Sequence, residues 1–260
     1  MCTVRLLKKG MRVMHKALTK QDHRPWPIPD RAWSWRQSWC DLLFAHWPVS
    51  AELLRPLIPE PLRVQEYGGD AWIGIVPFRM EGVMRRPFPN MPGISAFPEL
   101  NVRTYVEHEG RPGVWFFSLD ATNALAVWAA RRFFHLPYHR AEISCKPDGG
   151  ESFRYVNERR GSSIAFAATY APTTAVREAY PGSLEHFLTE RYCLYARSPA
   201  GALYRADVHH APWPLQSAQA DVTRNTMGEQ IGIPLSRKPP LLHFAKRADV
   251  VVWSPELVAP

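Results

Sequence analysis

A chain of 260 residues, 46% of them hydrophobic, has ample surface to bury a core, which excludes an intrinsically disordered protein. Twenty-five prolines, scattered from Pro25 to Pro260, exclude long helices and coiled coils, because an interior proline removes a backbone donor and clashes with the preceding turn. The formal charge of +8 suggests an anionic partner only until it is located: residues 1–24 hold seven basic side chains and one acid, and the rest hold 25 basic against 23 acidic groups.

Residues 1–24 therefore read as a basic, disordered arm ahead of a single domain over residues 25–260. Residues 42–49 read as a buried strand carrying His46. Ser50 caps a short helix over 51–57, stopped by Pro56, Pro59 and Pro61. Residues 62–67 and 71–83, on either side of Gly68 and Gly69, predict a hairpin. Residues 85–98 read as a loop. Residues 100–107 and 114–120 form the clearest hairpin, closed over 109–112. Thr122 or Asn123 then caps a helix reaching Phe134, with Leu125, Trp128, Ala129 and Phe133 expected to face the sheet.

Strands over 138–146 and 152–159 pair across 148–150, and 162–171 follows as another. Ser183 caps a second helix to about residue 196. Strands at 202–209, 213–224, 241–244 and 250–253 complete the chain, with an open stretch at 225–240. About ten strands and two or three short helices make the fold class mainly β (α+β). The expected architecture is an antiparallel barrel or cone with the helices packed outside. Closing the sheet removes exposed edges and leaves an interior cavity for a small ligand.

The sequence contains no phosphate loop, no G-x-G-x-x-G after a strand, no H-E-x-x-H and no G-x-S-x-G. Nucleotide hydrolysis, dinucleotide binding and serine-hydrolase chemistry are set aside, and no cofactor is expected. Cys2, Cys40, Cys145 and Cys193 form no C-x-x-C pair, which suits a reducing cytoplasm. No apolar run approaches the roughly 18–20 residues of a membrane span, and no membrane partner is expected.

His135 and His139 are four apart, but Pro137 between them makes a shared helical face improbable. His209 and His210 are adjacent and point to opposite faces of a strand. No third ligand is fixed by spacing, so no metal site is assigned. In the strand at 100–107, Asn101, Arg103, Tyr105 and Glu107 share one face by the period of two. That face is either solvated or lines a cavity, where Arg103 would offer a fixed fork to a carboxylate. The pattern alone does not choose.

The segments 39–49 (WCDLLFAHWPV), 54–59 (LRPLIP), 71–78 (AWIGIVPF), 101–106 (NVRTYV), 114–120 (VWFFSLD) and 212–215 (PWPL) resemble the YqjF-like family of bacterial proteins of unknown function. The likeness runs in order from about residue 33 to 253. That family is distantly similar to the acetoacetate decarboxylases, whose fold is an antiparallel β-cone or barrel around a buried cavity. Residues 54–62, with their Pro-Glu-Pro-Leu, and the junction 130–141 carry the link.

The resemblance also exposes a departure. Where the decarboxylases read aromatic-Pro-Lys-Lys and use the first lysine for a Schiff base, this chain reads LPYHR over 136–140. Tyr138 and His139 stand at the lysine positions. Neither a phenol nor an imidazole forms an imine. Beyond residue 24 only Lys146, Lys238 and Lys246 remain, and Lys146 lies roughly 26 Å along a straight strand from Tyr138. Gly74 falls where the decarboxylases carry an acidic residue.

The resemblance implies a pocket without Schiff-base decarboxylase chemistry. The expected function is binding of a small organic molecule, an acid, with Arg103 as anion partner and Asn101, Tyr105 and His46 in the same site. One alternative is a lysine-independent lyase or hydrolase with Tyr138 and His139 as acid and base. The other is a non-enzymatic sensor or carrier. Nucleic-acid binding rests on the arm alone and is not expected, and the oligomeric state, a homo-oligomer included, is left open.

Overall fold

The computed structural model describes residues 15–89 and 95–260. After a 3-10 turn at Lys16–Thr19, the chain forms β1 (Trp35–Val49), α1 (Ala51–Leu54) with a 3-10 turn at Arg55–Leu57, β2 (Arg63–Val64), β3 (Ala71–Arg85), β4 (Phe97–His108) and β5 (Arg111–Ala121). Next come α2 (Ala124–Phe134), β6 (Tyr138–Pro147), β7 (Phe153–Arg159), β8 (Ala165–Pro172) and α3 (Leu184–Thr189). The chain ends with β9 (Cys193–Arg197), β10 (Leu203–His209), β11 (Leu215–Asn225), a 3-10 turn at Glu229–Ile231, β12 (Leu241–Val252) and β13 (Glu256–Ala259).

The strands make one large sheet in the order β13-β10-β9-β5-β6-β7-β8-β11-β12-β1-β3-β4-β2, with further pairings of β10 to β12 and β5 to β4. The sheet is mixed, which corrects the all-antiparallel expectation. Leu119–Ala121 of β5 pair in parallel with 138–140 of β6, and Val114 and Trp115 pair in parallel with Leu194 and Tyr195 of β9. The reason for the first is α2, a crossover that returns the chain in the direction it left, as parallel neighbours require.

Other boundaries move for identifiable reasons. The hairpin expected at 62–83 does not form: β3 already has β1 and β4 on its two edges, so Arg63 and Val64 pair with β4 instead. Only the bridge of Tyr67 to Asp70 remains of it. The second expected helix stops at Thr189, because Cys193–Arg197 is claimed by β5 and β10. The two short strands expected near the C-terminus are one, β12, and β13 follows it.

α2 begins as expected, with the Asn123 side chain accepting from the backbone of Leu125 and Ala126. Its buried face is not the expected one. Val127 and Phe134 are buried, one helical row i to i+7, whereas Leu125, Trp128 and Phe133 are 52%, 58% and 43% exposed. Apolar residues surround this helix, so periodicity alone does not select a side.

Residues 15–24, within the arm drawn from the charge, pack against the sheet. Ala17 is buried with Trp33, Val251 and Trp253, and buried Arg24 donates to Asp207 Oδ1 at 3.2 Å. Trp26 Nε1 donates to the same oxygen at 2.9 Å, so Arg24 and Trp26 share a buried polar contact with β10. Residues 1–14 of the expected arm, and 90–94 of the expected loop, lie outside the described residues. Among the described residues no helix is long and apolar enough to cross a membrane.

Period-two alternation divides the core. Leu42, Phe44, Val76, Phe78 and Leu119 join one apolar cluster, while Leu43, Ala45, Ile73, Ile75, Leu100 and Val102 join another. The first cluster surrounds the cavity described next.

Candidate functional site

A cavity of ≈ 390 Å3 opens within the first cluster. One wall is the alternate face of β4, in the order Phe97, Glu99, Asn101 and Arg103. β1 supplies Trp39, Leu42 and Phe44, β3 supplies Val76, Phe78 and Met80, and β5 supplies Phe116 and Leu119. α2 closes one side with Ala126, Ala130 and Phe134. Of the face left undecided by the sequence pattern, Asn101 and Arg103 look into the cavity, while Tyr105 and Glu107 do not line it.

Glu99 is 1% exposed. Its Oε2 accepts from the Tyr138 phenol at 2.6 Å, and its backbone oxygen accepts from the Tyr155 hydroxyl at 2.7 Å. Burial pushes its carboxyl up to about 8, against the opposing hydrogen bond from Tyr138 and with a smaller contribution from Asp120. At neutral pH it is a protonated acid in a cavity wall. Burial likewise raises the Tyr138 phenol well above its ordinary value, and the neighbouring Glu99 adds to this.

Two guanidiniums share the other end of the site. Arg103 is buried, donates through Nη2 to Leu188 O at 3.3 Å, and lies 5.3 Å from the Phe44 ring centroid and 5.7 Å from that of Tyr105. Arg191 donates through Nη1 to Gln65 Oε1 at 2.5 Å and through Nε to Phe187 O at 2.7 Å. Burial brings its pKa down to about 10, and Arg103 adds repulsion. Among the described residues neither guanidinium meets a carboxylate, and Arg103 Nε and Arg191 Nη2 are buried without a hydrogen-bond partner. Asn101 Oδ1 and Trp39 Nε1, in the same walls, are also unpartnered. Unpaired buried groups cost stability, and among the described residues four of them stand in the walls of this cavity.

The expected site residues separate. Asn101, Arg103 and Tyr138 line the cavity. His46 and Tyr105 do not: both are fully buried and bonded to each other, Nε2 to Oη at 2.7 Å, beneath Arg103. Burial, with Arg103 and His243 nearby, holds His46 well below its usual pKa, so the pair is a neutral support. Gly74 makes room for it, since a Cβ there would sit 3.1 Å from His46 Nε2 and 3.4 Å from Arg103 Cγ.

His139 alternates away from Tyr138 and is not among the lining residues. Burial, then Arg159 and Arg131, brings its pKa down to about 4. On the same side of β5, buried Asp120 accepts from Arg159 Nε and Asn157 Nδ2, each at 2.9 Å. Among the described residues no lysine lines the cavity: Lys146 and Lys238 are exposed, and Lys246 Nζ pairs with Asp41 Oδ1 at 2.6 Å.

Sequence reasoning missed Glu99 and Arg191. Extending the alternating face of β4 by one step would have found Glu99. Arg191 lies between α3 and β9, where no periodicity points to it.

Residues 36–249 match the family model DUF2071, described as an uncharacterized conserved protein. The chain is 47% identical over 227 residues to the uncharacterized protein YqjF of Bacillus subtilis (strain 168), covering 87% of this chain and 93% of that one. Among solved structures it is similar to the acetoacetate decarboxylase of Legionella pneumophila, with a TM-score of 0.60 and 12% identity over 91% of this chain and 93% of that one. The enduracididine biosynthesis enzyme MppR, complexed with the condensation product of pyruvate and imidazole 4-carboxaldehyde, matches with a TM-score of 0.64 and 14% identity over 87% and 89%. Identities this low speak for a shared fold alone.

Proposed function

The chain belongs to the DUF2071 family, YqjF-like proteins in the acetoacetate-decarboxylase-like fold, and on that basis we propose that it binds a small organic acid in the cavity. Arg103 is the anion partner and Arg191 stands beside it. The observation that carries this reading is two buried guanidiniums in one site that, among the described residues, have unpartnered donors and no carboxylate partner. A ligand carboxylate would supply what both lack, through charge-assisted hydrogen bonds. The pairings of β4 to β5 and β10 to β12 return the sheet on itself and support a barrel or cone around this ligand.

The scarcity of lysine supports binding without Schiff-base decarboxylation, since the residue at the junction is a phenol already engaged with Glu99. A second reading, lysine-independent acid–base catalysis, is favoured by one observation: Glu99 stays protonated at neutral pH in the cavity wall and can donate to a bound oxygen. In that reading Glu99 and Tyr138 act, and His139 serves from behind the wall or not at all. Without turnover the same site is that of a sensor or carrier. Free Cys40, Cys145 and Cys193 agree with a reducing, cytoplasmic setting.

Calorimetric titration with short monocarboxylates tests the binding reading. Arg103→Met should weaken Kd by roughly 10- to 100-fold, the worth of a charged hydrogen bond, with the melting temperature little changed. An unchanged Kd removes Arg103 from the site. Borohydride reduction in the presence of a β-keto acid should leave every lysine unmodified, and an adduct at Lys146 would overturn the account of the junction.

A further inference from the structure

We infer that the acid taken by this cavity is a monocarboxylate with an extended apolar chain, its head at Arg103 and Arg191 and its tail running along β4 to α2. The inference rests on the acid-binding reading above and adds the ligand class.

The strand register gives the cavity a long axis. Going up the wall from Arg103, which faces Gly74 on β3, the lining residues of β4 are Asn101, Glu99 and Phe97, and their partners on β3 are Val76, Phe78 and Met80 in step. Six residues of antiparallel strand separate Arg103 from Phe97, about 20 Å. The two buried guanidiniums lie at the Arg103 end, while Phe97, Met80, Trp35, Val83 and Phe134 line the other, where Arg85 is exposed at the rim with its guanidinium 5.9 Å from the Trp35 ring centroid. Glu99 interrupts this path, but it is neutral at pH 7 and its oxygen is already occupied by Tyr138. A chain can therefore pass without desolvating a charge.

The far end reaches the surface at apolar residues. Leu125 of α2 and Phe88 both line the cavity and are 52% and 57% exposed. Apolar side chains gathered at a cavity rim offer surface that an apolar guest can cover. The volume of ≈ 390 Å3 also exceeds what a three- or four-carbon acid fills, and lies in the roughly 300–1000 Å3 range of sites for larger ligands.

The test is calorimetry on the full chain with butanoate, octanoate, dodecanoate and 1-octanol. Between butanoate and octanoate each methylene should tighten Kd by about fourfold, the transfer value of one buried methylene. Arg103→Met should weaken both acids alike, and octanol should bind at least tenfold more weakly than octanoate. Ala126→Trp, a bulky residue on the α2 wall, should cut octanoate affinity toward that of butanoate and leave butanoate unchanged. Equal affinity for butanoate and octanoate, with Arg103→Met still weakening both, overturns the apolar chain and leaves acid binding standing. Failure of every acid to bind, or octanol matching octanoate, overturns acid binding and this inference with it. The length series on the unsubstituted chain decides the matter even where Ala126→Trp fails to fold.

Discussion

The phenol of Tyr138 lies 2.6 Å from Oε2 of Glu99 and ties β6 to β4 across β5, the strand between them. The contact joins a buried phenol at the start of β6 to a carboxyl that burial keeps protonated.

Stability should consequently depend on Glu99 in a defined pH window. Its folded-state pKa is raised, from 4.5 to about 8, so folding holds the proton more tightly than the unfolded chain does. The favourable contribution is complete below the unfolded value and is lost as pH rises through about 8. Chemical denaturation from pH 5 to pH 9 should show the unsubstituted protein losing up to about 4 kcal/mol relative to Glu99→Gln, given roughly 1.4 kcal/mol per pKa unit. Parallel pH profiles for the two proteins would refute a protonated Glu99.

Removing Tyr138's hydroxyl moves the same group further. The hydrogen bond it donates favours the charged carboxylate, so Tyr138→Phe should raise the Glu99 pKa above about 8. Carbon-detected NMR titration of the Glu99 carboxyl reads this directly, and a fall in pKa would reverse the assigned donor and acceptor.

The buried pair of Asp120 with Arg159 offers a test with a large expected effect. Arg159 donates to Asp120 at 2.9 Å and also to Ser118 Oγ at 2.9 Å. Arg159→Met strands a desolvated carboxylate and should cost about 3–5 kcal/mol in urea unfolding. Adding Asp120→Asn to that variant should recover part of the loss, and a double variant as unstable as the sum of the singles would deny the coupling.

Gly74 links the support of Arg103 to the cavity. Gly74→Ala brings a methyl to 3.1 Å from His46 Nε2, so the His46–Tyr105 pair or Arg103 must shift by a few tenths of an ångström. A loss of about 1–3 kcal/mol is expected from this overpacking, with weaker acid binding alongside it. Thermal melts and the butanoate titration measure the two effects, and a variant unchanged in both would mean that this packing does not seat the arginine.

The orientation of α2 can be checked by a pair of substitutions. Trp128→Ser should alter stability by no more than about 0.5 kcal/mol, as for an ordinary surface position. Phe134→Ala should cost about 3 kcal/mol, because its ring lies in the core against Trp35, 6.0 Å between centroids. The opposite ranking would restore the face that helical spacing suggests.

What was legible in the sequence follows from how local each signal is. The hairpin of β4 and β5 needs only alternation and a turn, and it forms; the direction of its polar face was left open by the pattern, and Asn101 and Arg103 line the cavity. The Asn123 cap is equally local. The parallel entry of β6 beside β5, the capture of residues 193–197 between β5 and β10, and the pairing of β2 with β4 depend on which strand edges remain free after folding, and no window of residues contains that information. Within the site, Asn101, Arg103 and Tyr138 were reachable by period two and by family likeness. His46 and Tyr105 were assigned to the ligand because burial and cavity lining look alike in a strand pattern, yet they contact each other instead. Arg191 comes from a non-repetitive connection, and only the three-dimensional fold brings it beside Arg103.

The alternation of β4 separates two kinds of change. Phe97, Glu99, Asn101 and Arg103 face the cavity, while Leu100 and Val102 belong to the second core and Thr104 Oγ1 is bonded to Trp72 O at 2.8 Å. Under the acid-binding proposal, substitutions at Phe97, Glu99, Asn101 and Arg103 would rewrite charge, length and polarity of the guest while the even-numbered positions go on holding the sheet together. Divergence of ligand preference on this scaffold can then proceed along one strand, one residue in two, with little penalty in foldability.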